Sequence, residues 1–82
     1  MRGRKLTKKQ METIQGNLFA FTKNFGEVRI ERAEYGNGFY VFYPADSETW
    51  LQYCHDISYL DGWLYGIVQG VIRGEFAKFR TN

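Results

Sequence analysis

Eighty-two residues make one domain, and a single cysteine, Cys54, excludes an internal disulfide framework. No charge-free stretch exceeds eleven residues, against about 20 for a membrane-spanning helix, and the basic start Met1 to Lys5 is not followed by the apolar region of a signal peptide. The net charge of +2 divides into a basic N-terminus (+5 over residues 1–9), an acidic middle (−5 over 10–72) and a basic end (+2 over 73–82).

These features predict a soluble, cytoplasmic chain. Between Ala33 and Ile72 there is no Lys or Arg, while Glu34, Asp46, Glu48, Asp56 and Asp61 all fall there. Aromatics make up 18% of the residues. In a chain too short to bury a large fraction of its surface, their bulk, about 150–250 Å² each, substitutes for length in the core.

Residues 1–6 read as a flexible basic arm and 7–82 as a single α+β domain. Thr7-Lys8-Lys9-Gln10 matches a capping box, in which hydroxyl and amide side chains satisfy the first free backbone N–H groups. Met11, Ile14, Leu18, Phe21 and Phe25 follow at helical spacing, and Gly26 suits the end of that helix. Glu27 to Tyr35 alternates charge with Val28 and Ile30, as in a half-buried strand. The Asn37-Gly38 pair marks a hairpin turn, and Phe39 to Tyr43 forms a second strand without a polar face. Such a strand is covered on both sides, or offers an aromatic face to a partner. Pro44 ends it.

Asp46-Ser47-Glu48-Thr49 resembles a helix start. The spacing of Trp50, Tyr53, Cys54, Ile57, Leu60, Leu64, Ile67, Val68 and Val71 then predicts a short helix near 47–55 and a longer one from about 58 to 74 capped by Ser58, with a basic tail after it. The alternative makes Thr49 to Cys54 a third strand, giving the order α-β-β-β-α. That order echoes double-stranded-RNA-binding domains. Their last helix begins rich in Lys, whereas this chain has Ser58-Tyr59-Leu60-Asp61-Gly62 at that place.

Gly62, Gly66, Gly70 and Gly74 recur every fourth residue of the longer helix. Each interior glycine costs about 1 kcal/mol relative to alanine, so the spacing predicts close backbone approach or relief of crowding around Tyr59 and Trp63. Gly62 and Gly66 fall on the outer side, where a flat, aromatic-rimmed docking surface is the functional alternative.

No catalytic constellation is evident. Cys54-His55-Asp56 holds the residue types of a thiol triad, but adjacent residues point apart in both helices and strands. One Cys and one His do not make a zinc site. Tyr35-Gly36-Asn37-Gly38-Phe39 is too short for a dinucleotide fingerprint. The sequence predicts no metal, no cofactor and no enzymatic activity.

The segment Tyr43 to Cys54 (YPADSETWLQYC), continued by Ile57 to Gly66 (ISYLDGWLYG), resembles small uncharacterised proteins of Gram-positive bacteria, their phages and mobile elements. The resemblance implies a setting in which small non-enzymatic proteins bind host or phage proteins, including CRISPR nucleases and other defence enzymes. It implies no site residues.

The reading that follows is a protein-binding inhibitor or regulator. It would dock an acidic, aromatic surface (Glu48, Tyr59, Asp61, Gly62, Trp63, Tyr65, Gly66) on a basic one, since aromatic anchors and complementary charge typify such interfaces. Two alternatives stand beside it. One is a nucleic-acid-binding accessory protein using Arg2, Arg4, Lys5, Lys8 and Lys9 to neutralise phosphates. The other is a homodimer built on the glycines and aromatics.

Overall fold

The computed structural model describes residues 5–70, and the tail from 71 onward, Gly74 included, lies outside the described residues. The chain is α+β. Helix α1 (Lys8–Phe25) is followed by strands β1 (Arg29–Arg32), β2 (Phe39–Phe42) and β3 (Gln52–Cys54), then helix α2 (Ile57–Gln69). The strands form one antiparallel sheet in the order β1-β2-β3.

The capping box opens α1: the Gln10 N–H donates to Thr7 Oγ1 (3.1 Å) and the Thr7 N–H to Gln10 Oε1 (2.9 Å). Gly26 closes it at φ 103°, a backbone region that side chains disfavour, with its N–H bonded to the Thr22 carbonyl. The buried stripe is narrower than the spacing suggests. Ile14 and Phe21 are fully buried, Leu18 and Phe25 partly, and Met11 is exposed. Leu6 also packs against the core, and the Lys5 carbonyl accepts from Arg32 Nε. Residues 5 and 6 therefore belong to the folded body and not to the arm.

The short helix near 47–55 does not form. Its C-terminal part is β3, so the three-strand alternative describes the fold. Cys54 is fully buried whereas Tyr53 beside it is exposed, which is the period-two alternation of a strand and not a helical stripe. The segment before β3 is a loop fastened by side chains. The Leu51 N–H bonds the Val41 carbonyl, and Ser47 Oγ bridges to the N–H and carbonyl of Thr49.

The hairpin turn is also displaced. The positive φ lies at Gly36, 79°, and not in the Asn37-Gly38 pair, while the Ala33 N–H closes the loop on the Gly38 carbonyl. Gly38 is glycine for a different reason: a Cβ there would come within 2.0 Å of the Tyr53 hydroxyl and 2.5 Å of its ring.

The last helix starts earlier and stops sooner than expected. Asp56, not Ser58, is the N-cap, its Oδ1 accepting from the Tyr59 N–H at 2.8 Å. Gly70 ends the helix in the left-handed conformation, φ 84° and ψ 10°. It is a cap and not an interior member of a ridge, so α2 ends at Gln69.

Both helices lie on one side of the sheet. Ile14 and Phe21 of α1, Leu60, Leu64 and Ile67 of α2, and Phe39, Val41 and Cys54 of the sheet form a single core. Each fully buried large side chain contributes about 1.5–3 kcal/mol. Phe21 is at its centre, with Trp63 stacked at 6.2 Å and Tyr43 edge-on at 5.7 Å, and the Tyr43 hydroxyl donates to the Phe25 carbonyl.

Replacing Gly38 by alanine should cost about 1 kcal/mol, because the Tyr53 ring must swing away. In a Tyr53→Ala background the same substitution should cost much less. Urea denaturation of the four proteins of this cycle measures the coupling.

Candidate functional site

Alternation along the strands sets what the far side of the sheet displays. Register pairs Arg29 with Phe42, Glu31 with Tyr40, and Tyr40 with Tyr53, and these residues face away from the helices. Over them lies the 44–51 loop, which follows a cis Tyr43–Pro44 peptide. Arg29 fastens that loop: its guanidinium donates to the carbonyls of Ala45 and Ser47, pairs with Glu31 at 2.8 Å, and stacks over the Phe42 ring at 4.0 Å.

The result is an open groove of about 510 Å³ lined by Glu31, Arg32, Ala33, Glu34, Tyr35, Tyr40, Phe42, Glu48 and Trp50. Tyr40 lies 5.4 Å from Trp50 and 5.1 Å from Tyr53, ring to ring. Trp50 is 53% exposed and Tyr35 83%. Among the lining residues three carboxylates stand against one guanidinium, Arg32, which donates to the Lys5 carbonyl. Arg29 pairs with Glu31 from beneath, and Glu34 and Glu48 line the groove beside it.

The residues singled out from sequence are split between two sides of the molecule. Glu48 lines this groove. Tyr59, Gly62, Tyr65 and Gly66 belong to α2, on the other side of the sheet. Trp63 is engaged in the core with Phe21, and Asp61 accepts from Asn17 Nδ2 at 2.9 Å, tying α2 to α1. Nothing lies within 4 Å of a Cβ placed at Gly62 or Gly66. Among the described residues, close approach of another element therefore does not explain either glycine.

The groove residues that sequence reading missed are Glu31, Glu34, Tyr35, Tyr40, Phe42 and Trp50. The signal was the second strand without a polar face, whose outer side is this groove. Of the basic residues, Lys5, Lys8 and Lys9 are exposed at the start of α1, and Arg2 and Arg4 lie outside the described residues.

The Cys54-His55-Asp56 triplet is divided among three tasks. Cys54 is core. His55 sits at the surface with its ring 4.7 Å from Tyr59 and its Nε2 3.4 Å from Asp56 Oδ2. Asp56 caps α2. Burial first, and then the Asp56 charge, pushes the Cys54 thiol up to about 12 from 9.0, so it is a poor nucleophile at neutral pH. Among the described residues no helix is long and apolar enough to cross a membrane, and no three His, Cys, Asp or Glu side chains gather to hold a metal ion.

Comparison with protein families, with curated proteins and with solved structures finds no match to this chain.

Three outcomes follow from this geometry. Iodoacetamide at pH 8 should leave Cys54 unmodified in the native protein and alkylate it after unfolding in urea, read by mass spectrometry. The unfolded chain releases the thiol proton first, near pH 9.0, whereas the folded chain holds it to about 12. The contribution of Cys54 to stability is thus complete below pH 9 and declines between the two values. Cys54→Ala should flatten the alkaline loss of stability across that window. Separately, Asn17→Ala should lower stability by about 1 kcal/mol by leaving Asp61 without its donor, as thermal denaturation would show.

Proposed function

We propose that this domain is a non-enzymatic binding module that docks the groove on the open face of its sheet against a basic surface of another protein. The observation that carries the reading is the coincidence of exposed aromatics, Tyr35 and Trp50, with the carboxylates Glu31, Glu34 and Glu48 around one concavity. Aromatic residues give binding energy at small entropic cost, and the acidic rim steers a cationic partner. Exposed aromatics on a sheet also suit stacked nucleic-acid bases, but carboxylates around them repel phosphate. In the setting that the resemblance of residues 43–66 implies, the partner would be a host or phage defence protein, with its inhibition or regulation as the biological outcome.

The test is a titration of the labelled protein with a twelve-residue peptide rich in Lys and Arg, followed by nuclear magnetic resonance. Shifts should concentrate on residues 31–35, Tyr40, Phe42, Glu48 and Trp50. Glu34→Lys combined with Glu48→Lys should weaken binding about tenfold or more, and Tyr59→Ala with Tyr65→Ala should leave it unchanged. Shifts centred on α2 would instead restore the helix surface as the site.

A second reading rests on the start of α1. The first turn of that helix carries Lys8 and Lys9 and no acid, against the sign that the helix dipole favours. Cations kept at an unfavourable place suit phosphate contact, so the basic N-terminus would serve nucleic acid. Lys8→Glu with Lys9→Glu should then raise helix stability slightly while weakening duplex binding and reducing its salt dependence. A gel shift unchanged by the double substitution removes the reading.

A further inference from the structure

We propose that β1 is a self-pairing edge: a second copy of this chain adds its own β1 antiparallel to it, about a two-fold axis at Ile30, and the two sheets become one of six strands. The proposal stands apart from the groove reading and holds whatever the groove binds. Hydrogen bonding within the sheet decides which backbone groups face outward. The Ala33 N–H bonds the Gly38 carbonyl, and in the same register Glu31 pairs with Tyr40 and Arg29 with Phe42. Bonded pairs alternate along an antiparallel ladder, so the residues between them, Ile30 and Arg32, direct their N–H and carbonyl groups away from β2.

The two edges of the sheet differ. By the same alternation β3 bonds β2 through Gln52 and Cys54 and turns the backbone of Tyr53 outward. That outward carbonyl already accepts from Gln52 Nε2 at 2.7 Å, and β3 is only three residues long. Short length and an occupied acceptor blunt an edge. Among the described residues no strand lies against the outer side of β1.

The side chains of β1 choose the register. An axis between two residues sets outward backbone groups against groups already bonded to β2, so the axis must pass through a residue and place it opposite its own copy. At Arg29, Glu31 or Arg32 like charges would meet, which is destabilising. At Ile30 an apolar side chain meets its copy, and each Arg29 stands opposite Glu31 of the other chain. The Arg29–Glu31 pair within each chain, 2.8 Å, stays intact. The four charges alternate in sign around the axis, so neither group gives up a partner it has. Ile30 is half-buried against the core, and its copy extends that apolar contact across the axis. Such a two-fold leaves both grooves on one face of the joined sheet, which makes the module bivalent.

The experiment is sedimentation velocity of the full chain over a wide range of concentration, with hydrogen exchange at its two ends. Mass should rise toward that of two chains. The amides of Ile30 and Arg32 should exchange more slowly in the concentrated sample, while those of Arg29 and Glu31, already in the ladder, should not change. Ile30→Cys brings two Cα atoms to about 5.5 Å, within disulfide reach, and should cross-link on oxidation. Arg32→Cys, displaced from its copy along the strand, should not. The native thiol of Cys54 is buried and adds no background. Ile30→Pro removes an N–H outside the β1–β2 ladder and should leave the chain monomeric. Ile30→Lys keeps the backbone and should weaken association about tenfold or more. Tyr65→Arg, on the outer surface of α2, should have no effect. Signal dispersion verifies that each variant is folded.

A monomer at every concentration overturns the proposal. A dimer that survives both Ile30→Pro and Ile30→Lys also overturns it, as does one lost in Tyr65→Arg or cross-linked through residue 32 in preference to residue 30. None of these outcomes bears on peptide binding at the groove, so the two readings fail separately.

Discussion

The open side of this domain depends on one guanidinium. Arg29 belongs to an edge strand, and by simple alternation it would extend from the sheet into water. It lies instead across Phe42, pairs with Glu31 and holds two carbonyls of the 44–51 loop. Its aromatic stack and its planar array of donors are used together, a combination lysine cannot reproduce. Through these contacts the first strand, the second strand and the loop become one surface. Glu48 and Trp50 are carried on that loop, so the groove's outer wall is positioned by a residue that lies beneath it.

The opposite side is ordered by apolar contact. Phe21 gathers Trp63, Tyr43 and Phe25 around it, and aromatic bulk gives this short chain a core that unites two helices with a three-stranded sheet. A division of labour results: Phe21, Phe39 and Trp63 pack between the helices and the sheet and serve stability, while Tyr35, Tyr53 and Trp50 on the outer side stay partly in water. Composition alone does not separate the two groups, because the separation is made by strand register.

What could be read in the sequence was whatever depends on neighbours a few residues away. The Thr7 to Gln10 capping box is such a case, as are the closing Gly26 and the helical stripe of Ile14 and Phe21. Where distant contact decides, sequence reading went astray. Trp50 to Cys54 is a short apolar run that fits either periodicity, and its pairing with β2 makes it a strand. Gly38 looked like half of a turn signal, but its small size answers to Tyr53, fifteen residues further on. The groove was legible only as a second strand lacking a polar face. Its acids come from the first strand, the hairpin loop and the 44–51 loop, and their meeting required the fold. Trp63 and Asp61 looked like surface anchors because helical angles do not reveal that α1 lies against them.

Gly62 and Gly66 have a consequence for how this molecule moves. They lower the intrinsic stability of α2 by about 1 kcal/mol each, and among the described residues no contact at their Cβ positions compensates. The helix therefore owes its order to the stripe of Leu60, Leu64 and Ile67 and to its tie through Asp61. Its outward amide groups are expected to exchange hydrogen with solvent faster than those of α1, through brief openings that leave the sheet intact. The groove lies on the far side of that sheet, so its geometry is insulated from the part of the molecule that loosens first.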